Sequence, residues 1–174
     1  MKLNELLEFN HIVIQCHDNP DADAIASGYG IYSYLRANGR QARLIYGGRE
    51  PVKKSNLTLM VEMLDIPIEY VRELEEPELL LTVEWRYGEN TVQRFQGGTV
   101  AGIDHHKARL EELPAMGEVR DNYGACATIV WDMLCEEGFD VGADEKLATA
   151  LYYGLFMDTG KLQELCHPKD KDLR

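Results

Sequence analysis

The sequence predicts a single α/β domain over residues 1–174, with a mainly parallel β-sheet and helices on both of its faces. Three observations support this fold class. Several short runs are continuously apolar and rich in β-branched residues, as is typical of strands buried on both faces. Longer segments with helical patterning separate these runs, and such alternation favours parallel strand pairing. A chain of 174 residues with 45% hydrophobic content is also sufficient for one globular core.

The first half of the chain contains the clearest strand signal. Residues 11–16, His-Ile-Val-Ile-Gln-Cys, form an apolar run and are predicted to be a central parallel strand. The long helix that follows is predicted to end at Gly39, since glycine commonly follows a helix C-terminus. The predicted elements of this half are a short amphipathic helix at 2–9, strands at 11–16, 42–46 and 68–71, and helices at 24–38 and 53–64.

The second half repeats the alternation of strands and helices. Residues 79–83, Leu-Leu-Leu-Thr-Val, are continuously apolar and stop at Glu84. A further strand at 98–103 is followed directly by Asp104 and His105. Helices are predicted at 125–138 and 144–156, the first with an apolar side formed by Ile129, Val130, Met133 and Leu134.

Charge and cysteine usage exclude several classes of protein. A net charge of −12 disfavours general binding to nucleic acids or membrane surfaces, although bound cations allow an anionic substrate. The chain shows neither a signal peptide nor an apolar run long enough to span a membrane. Its four cysteines contain no CxxC pair and are expected to be buried and reduced. We therefore expect a cytoplasmic protein with no membrane partner.

Two clusters of polar side chains each follow a predicted buried strand. The first contains His17, Asp21 and Asp23, in the segment His-Asp-Asn-Pro-Asp-Ala-Asp. The alternative for Asp23 is that it caps the next helix, but the company of His17 and Asp21 favours a metal site. As a loop carboxylate among other acids, Asp23 is expected to be removable without loss of stability in the metal-free protein.

The second cluster is Asp104-His105-His106 at the end of the strand predicted at 98–103. Two ordinary strand-end histidines, one buried and one solvated, are the alternative interpretation, but adjacent histidines after an acid favour a ligand with an orienting carboxylate. Asp158-Thr159-Gly160 occurs once, whereas an aspartic protease needs a pair of aspartates, so Asp158 is better explained as a metal ligand. Ligands of parallel sheets bind beyond the carboxyl ends of the strands, so we expect these clusters to converge in a metal-dependent hydrolase.

Four ordered motifs resemble those of the DHH phosphoesterase superfamily over nearly the whole chain. The closest resemblance is to the oligoribonuclease and pAp-phosphatase type, with RecJ-like nucleases and manganese-dependent pyrophosphatases more distant. The motifs are residues 17–28, residues 81–84, residues 103–106 with the name-giving Asp-His-His, and residues 154–160.

The resemblance implies a phosphoesterase with two Mn²⁺ ions, or Mg²⁺ or Co²⁺ in their place, acting on short oligonucleotides or small nucleotides such as pAp. His17 and Asp21 would bind one ion, and Asp23, His105 and Asp158 the other, while Glu84 would bridge both. Asp104 and His106 would support the site and contact the scissile phosphate. A homodimer is left open.

Two features depart from the pattern of this family. Its second motif usually ends in Asp, where this chain has Glu84, so we expect Glu84→Asp to raise metal affinity and turnover. The alternative is that a shifted backbone accommodates Glu84, in which case the shorter side chain would weaken metal binding. The second, DHH-associated domain that normally binds substrate is not expected within residues 1–174. The alternative function is therefore a catalytically impaired module that binds metal or nucleotide. Arg86, Lys107 and Arg109 are the nearest candidate cationic contacts for a substrate.

Overall fold

The computed structural model describes residues 1–85, 93, 95–107 and 114–173 of the chain. Within them, six strands form one sheet in the order β3-β2-β1-β4-β5-β6, and every neighbouring pair is parallel. The strands are β1 His11–Cys16, β2 Gln41–Tyr46, β3 Ile68–Tyr70, β4 Leu79–Val83, β5 Thr99–Asp104 and β6 Met116–Val119. The parallel α/β fold predicted from the sequence is confirmed.

Five α-helices connect or follow these strands in the described residues. They are α1 Ala22–Ala37, α2 Ser55–Met63, α3 Cys126–Glu136, α4 Glu145–Asp158 and α5 Pro168–Leu173. The segments Leu3–Glu8 and Val141–Ala143 are 3₁₀ helices, so the N-terminal amphipathic helix is tighter than predicted. None of the helices in this part of the chain combines the length and the apolar character needed to cross a membrane.

The strands are buried because their side chains alternate between two apolar layers. Ile12, Ile14 and Cys16 of β1 belong to a large core cluster, whereas Val13 points into a small one on the opposite face. The buried apolar side chains of α1 to α3 belong to the large cluster, as do Leu147, Ala150 and Leu151 of α4. The sequence predicts helices on the other face as well. There, the described side chains that pack on the small cluster are Val71, Leu74 and Phe95, which lie outside helices.

The strand order places the chain's polar motifs at one point of the sheet. Successive strands β1, β2 and β3 are added towards one edge of the sheet, and β4, β5 and β6 towards the other edge. The strand order therefore reverses between β1 and β4. Parallel sheets bind ligands at such a switch point, beyond the carboxyl ends of the strands. His17 follows β1, Glu84 follows β4 and Asp104 ends β5, which brings the three motifs to this edge.

Close packing of α4 on α1 brings a further carboxylate to the same edge. A Cβ atom at Gly154 would lie 2.9 Å from the Ala26 Cβ and 3.2 Å from the Asp23 Cα. Glycine therefore permits the two helix backbones to approach closely, one turn before α4 ends at Asp158. The contact sets the distance between Asp158 and Asp23.

Candidate metal centre

The six predicted metal ligands converge in two groups with one member in common. The first group is His17, Asp21 and Glu84, and the second is Asp23, Glu84, His105 and Asp158. In each group, one potential ligand atom from every residue lies within 4.8 Å of the others. The mixture of imidazole nitrogen and carboxylate oxygen suits divalent transition metals. Glu84 belongs to both groups, as a carboxylate shared by two ions would.

The two oxygens of Glu84 face different histidines. The Glu84 Oε2 atom lies 3.6 Å from the His17 Nε2, while the Oε1 atom lies 3.2 Å from the His105 Nε2. The His17 Nε2 is also 3.6 Å from the Asp21 Oδ2, and the His105 Nε2 is 3.4 Å from the Asp158 Oδ2. Atoms that share an ion at about 2.1 Å are expected to have separations of this order.

Glu84 is held in an unusual position for a charged residue. Its side chain is fully buried, its backbone φ is +50°, and neither carboxylate oxygen has a hydrogen-bond partner among the described residues. The Nε2 atoms of His17 and His105 are buried without such partners as well. A buried carboxylate and two imidazole nitrogens that face one another in this way fit a bound cation. Left-handed backbone at a non-glycine residue is also more frequent at functional sites.

Burial and mutual repulsion raise the pKa values of the second group's acids. Burial, with the nearby charge of Glu84, raises the pKa of Asp158 to about 6. The pKa of Asp23 is raised by the same two causes and by the charge of Asp158. In the first group, burial by itself lowers the pKa of His17, but contacts with Asp21 and Glu84 outweigh it and raise that pKa to about 10. The site is thus crowded with negative charge that a cation would neutralise.

The structure excludes the alternative that Asp23 caps helix α1, and it places Asp23 within that helix rather than in a loop. Asp21, not Asp23, caps helix α1, because its Oδ1 accepts hydrogen bonds from the backbone N–H groups of Asp23 (3.1 Å) and Ala24 (3.0 Å). The carboxylate of Asp23 accepts hydrogen bonds from the Cys126 N–H at 2.7 Å and the Ala127 N–H at 2.8 Å. Asp23 therefore accepts hydrogen bonds from two otherwise free N–H groups in the first turn of α3, a helix more than 100 residues away in the sequence.

Asp104 and His106 lie beside the second group. The Asp104 Oδ1 accepts a hydrogen bond from the His106 N–H at 2.9 Å and lies 2.8 Å from the His106 Nδ1. An ionised carboxylate only accepts, so this contact fixes a proton on Nδ1 and orients the ring. Asp104 is buried, whereas the His106 side chain is 39% exposed, so His106 is the member that a substrate can reach.

A cavity of about 320 Å³ opens next to the two groups. Its lining includes three acids, Asp21, Asp23 and Asp158, together with Lys54 and Asn56. Sequence reasoning missed Lys54 and Asn56, which lie at the start of α2, although Lys53-Lys54 is a visible basic pair. Of the cationic contacts predicted from the sequence, Lys107 is exposed, while Arg86 and Arg109 lie outside the described residues.

The remaining histidines and cysteines lie outside the two groups. His11 is exposed at the start of β1, and the His167 ring stacks on Tyr123 with 4.0 Å between ring centroids. Cys16 and Cys126 are buried, and burial raises their pKa values, so both are protonated thiols at neutral pH. Cys135 and Cys166 are exposed, so the prediction of four buried cysteines is wrong for these two. Cys135 lies in the last turn of α3, and Cys166 lies two residues before α5.

Comparison with known proteins identifies the family. Residues 11–155 match the DHH family, N-terminal domain. The chain belongs to the DHH family. The match includes five of the six candidate metal ligands and both Asp104 and His106, while Asp158 lies just beyond it. The resemblance stated from the motifs is thereby confirmed.

Individual DHH relatives are distant and longer than this chain. The bifunctional oligoribonuclease and PAP phosphatase NrnA of Thermus thermophilus is 28% identical over 155 residues, which cover 87% of this chain and 44% of that protein. A probable manganese-dependent inorganic pyrophosphatase of Streptococcus thermophilus is 27% identical over 147 residues, covering 82% and 46% respectively. The chain thus spans less than half of each.

The fold is shared with a solved structure. An exopolyphosphatase-related protein from Bacteroides fragilis superposes with a TM-score of 0.72 at 16% identity, over 98% of this chain and 53% of that one. At this identity the likeness shows the fold alone. The shared fold therefore extends over essentially the whole chain.

Proposed function

We propose that residues 1–174 form the N-terminal catalytic domain of a DHH phosphoesterase that uses two divalent cations. The observation that carries this proposal is the position of Glu84, whose two oxygens face the two ligand groups separately. His17 and Asp21 would hold one ion, Asp23, His105 and Asp158 the other, and Glu84 both. Such ions lower the pKa of water and neutralise charge on a phosphoryl group.

The expected cation is Mn²⁺, with Mg²⁺ and Co²⁺ as substitutes. Two histidine nitrogens among four carboxylates form a donor set softer than the all-oxygen sites that Mg²⁺ and Ca²⁺ prefer. The name of the Streptococcus thermophilus relative, a probable manganese-dependent pyrophosphatase, supports the same choice.

Asp104 and His106 are proposed to act on the substrate itself. Because Asp104 holds the proton on the His106 Nδ1, the exposed edge of the ring is left to contact a phosphate oxygen. As an imidazolium, with a second proton on Nε2, His106 would stabilise the charge that develops on the phosphoryl group or give that proton to the leaving oxygen. Asp104 would keep the ring in the orientation that this contact needs.

The proposed substrates are short oligonucleotides or small nucleotides such as pAp. The cavity beside the ligand groups is lined by acids of both groups and by Lys54, so a phosphate ester in the cavity would meet the bound cations and a lysine. The name of the Thermus thermophilus relative, an oligoribonuclease and PAP phosphatase, supports this class. A cytoplasmic location and a homodimer remain predictions.

A second candidate is a module that binds metal or nucleotide without catalysis. It is motivated by Glu84, which stands where the family's second motif usually ends in aspartate. Calorimetry separates the two functions, because a module of this kind would bind manganese while hydrolysis stays at background.

The test is release of phosphate from pAp and cleavage of a short RNA, each with and without Mn²⁺. We expect manganese-dependent turnover that falls at least about 100-fold in His105→Ala, the scale of a lost transition-state contact. His11→Ala is the matched control, since His11 is exposed and outside both groups. Absence of turnover with Mn²⁺, Mg²⁺ and Co²⁺ at high protein concentration would leave only the binding module.

A further inference from the structure

The C-terminal segment, residues 159–173, lies beyond the residues that match the DHH family and folds back onto the loop before α3. We propose that this segment positions one of the two ligand groups, the one with Asp23 and His105, and that Asp170 is its positioning residue. The inference rests on the proposed metal site, and concerns how that site is held in shape.

A strained turn directs the C-terminal segment back towards the loop before α3. Three consecutive residues have left-handed backbone, Gly160 (φ 57°), Lys161 (φ 63°) and Leu162 (φ 66°). Only glycine adopts this region without steric cost, so the surrounding contacts must maintain the turn. Thr159 supplies several of them, because its Oγ1 accepts from the Leu162 N–H at 3.2 Å and its carbonyl accepts from the Gln163 N–H at 3.0 Å.

Asp170 joins the returning segment to the loop before α3. Its side chain is fully buried and accepts hydrogen bonds from the backbone N–H groups of Cys166 at 2.9 Å, His167 at 2.7 Å and Gly124 at 3.1 Å. A Cβ atom at position 124 would lie 2.8 Å from the Asp170 Oδ2. Only glycine at this position therefore allows the carboxylate to reach the loop backbone.

Two neighbours of Asp170 hold the adjacent loop residue, Tyr123. The His167 ring stacks on the Tyr123 ring with 14° between their planes. The Tyr123 hydroxyl donates to the Asp132 Oδ2 at 2.9 Å, and the Lys169 Nζ lies 3.0 Å from the Asp132 Oδ1. The loop is thus held by the ring and the hydroxyl of Tyr123 and by the N–H group of Gly124.

The same loop contacts the ligands of one group. The Tyr123 carbonyl lies 3.4 Å from the His105 Nδ1 and can only accept, so it holds a proton on Nδ1 and leaves Nε2 to face Glu84 and Asp158. The amides of Cys126 and Ala127, three and four residues further on, bind the Asp23 carboxylate. Asp23 and His105 belong to the four-residue group, while His17 and Asp21 belong to the other.

This asymmetry gives a result that general destabilisation would not produce. If Asp170 only stabilised the fold, its substitution would affect both ligand groups alike. If it positions the loop, the group that contains Asp23 and His105 weakens, while the group of His17 and Asp21 keeps its affinity. Removing a group that orients a metal ligand typically lowers the metal affinity of the site by about 10- to 100-fold. We expect a loss of this order in the four-residue group when Asp170 is substituted.

The test uses Asp170→Asn in two backgrounds, with manganese affinity measured by calorimetry. His17→Ala leaves the four-residue group, and His105→Ala leaves the group of His17 and Asp21. We expect Asp170→Asn to weaken Mn²⁺ binding at least about tenfold in the first background and less than about threefold in the second. Asp144→Asn is the matched control, because Asp144 caps α4 through two backbone amides far from the loop in sequence and should change neither affinity.

A measurement without metal keeps the inference separate from the proposed function. In the metal-free chain, Asp170→Asn should speed hydrogen exchange of the Cys126 and Ala127 amides and leave the Ala24 amide, which is bound by Asp21, unchanged. If neither background binds Mn²⁺, the proposed function fails, and the exchange result alone decides about Asp170. Equal loss of affinity in both backgrounds, or unchanged exchange at Cys126 and Ala127, would overturn the positioning role.

Discussion

At the scale of single residues, Glu84 explains how two ligand groups form one site. Its left-handed backbone and full burial place one carboxylate oxygen against each histidine. From the family pattern alone, the shorter aspartate is expected to fit better at this position. The left-handed backbone at Glu84 favours the alternative, a shifted backbone that accommodates the longer side chain, because removing one methylene would withdraw the carboxylate by about 1.5 Å from His17 and His105.

The hydrogen bonds of Asp23 lead us to expect that its removal lowers stability, which is the opposite of the effect predicted from the sequence. Asp23→Ala leaves the amides of Cys126 and Ala127 without their acceptor, so we expect the metal-free protein to lose about 1–3 kcal/mol of stability. Differential scanning calorimetry without metal would measure the change. A stability that stays level or rises would show that charge crowding, rather than the start of α3, dominates at Asp23.

Asp158→Asn should have the opposite effect and serves as the comparison. Because the pKa of Asp158 is raised to about 6 in the folded chain, its ionisation costs stability that grows from about pH 4 and is complete above pH 6. At pH 7.5 the neutral asparagine should therefore leave metal-free stability level or higher. A marked drop in the melting temperature would mean that the Asp158 carboxylate has a structural partner of its own.

Manganese binding should release a proton from His17. Asp21 and Glu84 raise its pKa to about 10, and an imidazole must be neutral to bind a metal ion. Affinity should therefore rise with pH between 6.5 and 8.5, by up to about tenfold per unit for one proton. Calorimetry in buffers of different ionisation enthalpy counts the protons released when manganese binds. The His17→Ala chain should release fewer protons than the control, His11→Ala. A pH-independent affinity would contradict this.

At the scale of helices and strands, the sequence predicts what depends on local pattern. The buried strands β1, β4 and β5 were recognisable because their apolar runs are continuous, and α1 to α4 lie close to their predicted positions. The edge strand β6, Met-Gly-Glu-Val, has no such pattern, since all four of its residues are half-buried. Helix α5, Pro-Lys-Asp-Lys-Asp-Leu, is too short and polar to show periodicity. It depends on the buried contacts of Asp170.

The packing of α4 on α1 should be sensitive to one methyl group. Gly154→Ala would place a Cβ 2.9 Å from the Ala26 Cβ and 3.2 Å from the Asp23 Cα, so α1 and α4 must separate, at a cost of about 1–3 kcal/mol. The shift would also move Asp158 away from Asp23 and weaken the four-residue group. Thermal unfolding and manganese titration measure the two effects. Gly142→Ala is the control, where a Cβ meets only the Asp140 Oδ1, at 3.3 Å. Unchanged stability in Gly154→Ala would contradict the close approach.

At the scale of the whole molecule, topology produces the site. The strand order reverses between β1 and β4, and the motifs that follow β1, β4 and β5 meet there although they are spread over some 90 residues. Motif residues could be predicted because each follows an apolar run. The amides that bind Asp23, the cavity lining at Lys54 and the contacts of Asp170 could not, since they join segments 46 to 104 residues apart or have no local pattern.

The net charge of −12 bears on the same site. A chain with this excess of acids attracts divalent cations and repels phosphate esters, so cation binding must precede substrate binding in the proposed function. Bound ions should also stabilise the fold, by about 2.7 kcal/mol at a concentration 100 times the dissociation constant.

The most direct test of the shared carboxylate is a manganese titration of the unsubstituted chain, Glu84→Gln and Glu84→Asp by calorimetry. We expect two ions per chain in the unsubstituted protein. Glu84→Gln should lower the affinity for both ions at least about tenfold. Loss of a group that orients a metal ligand already costs about that much, and loss of the ligand itself should cost no less. Glu84→Asp should weaken both to a smaller extent. If Glu84→Gln instead retains one ion at unchanged affinity, Glu84 serves a single group and the two-ion site as described is wrong.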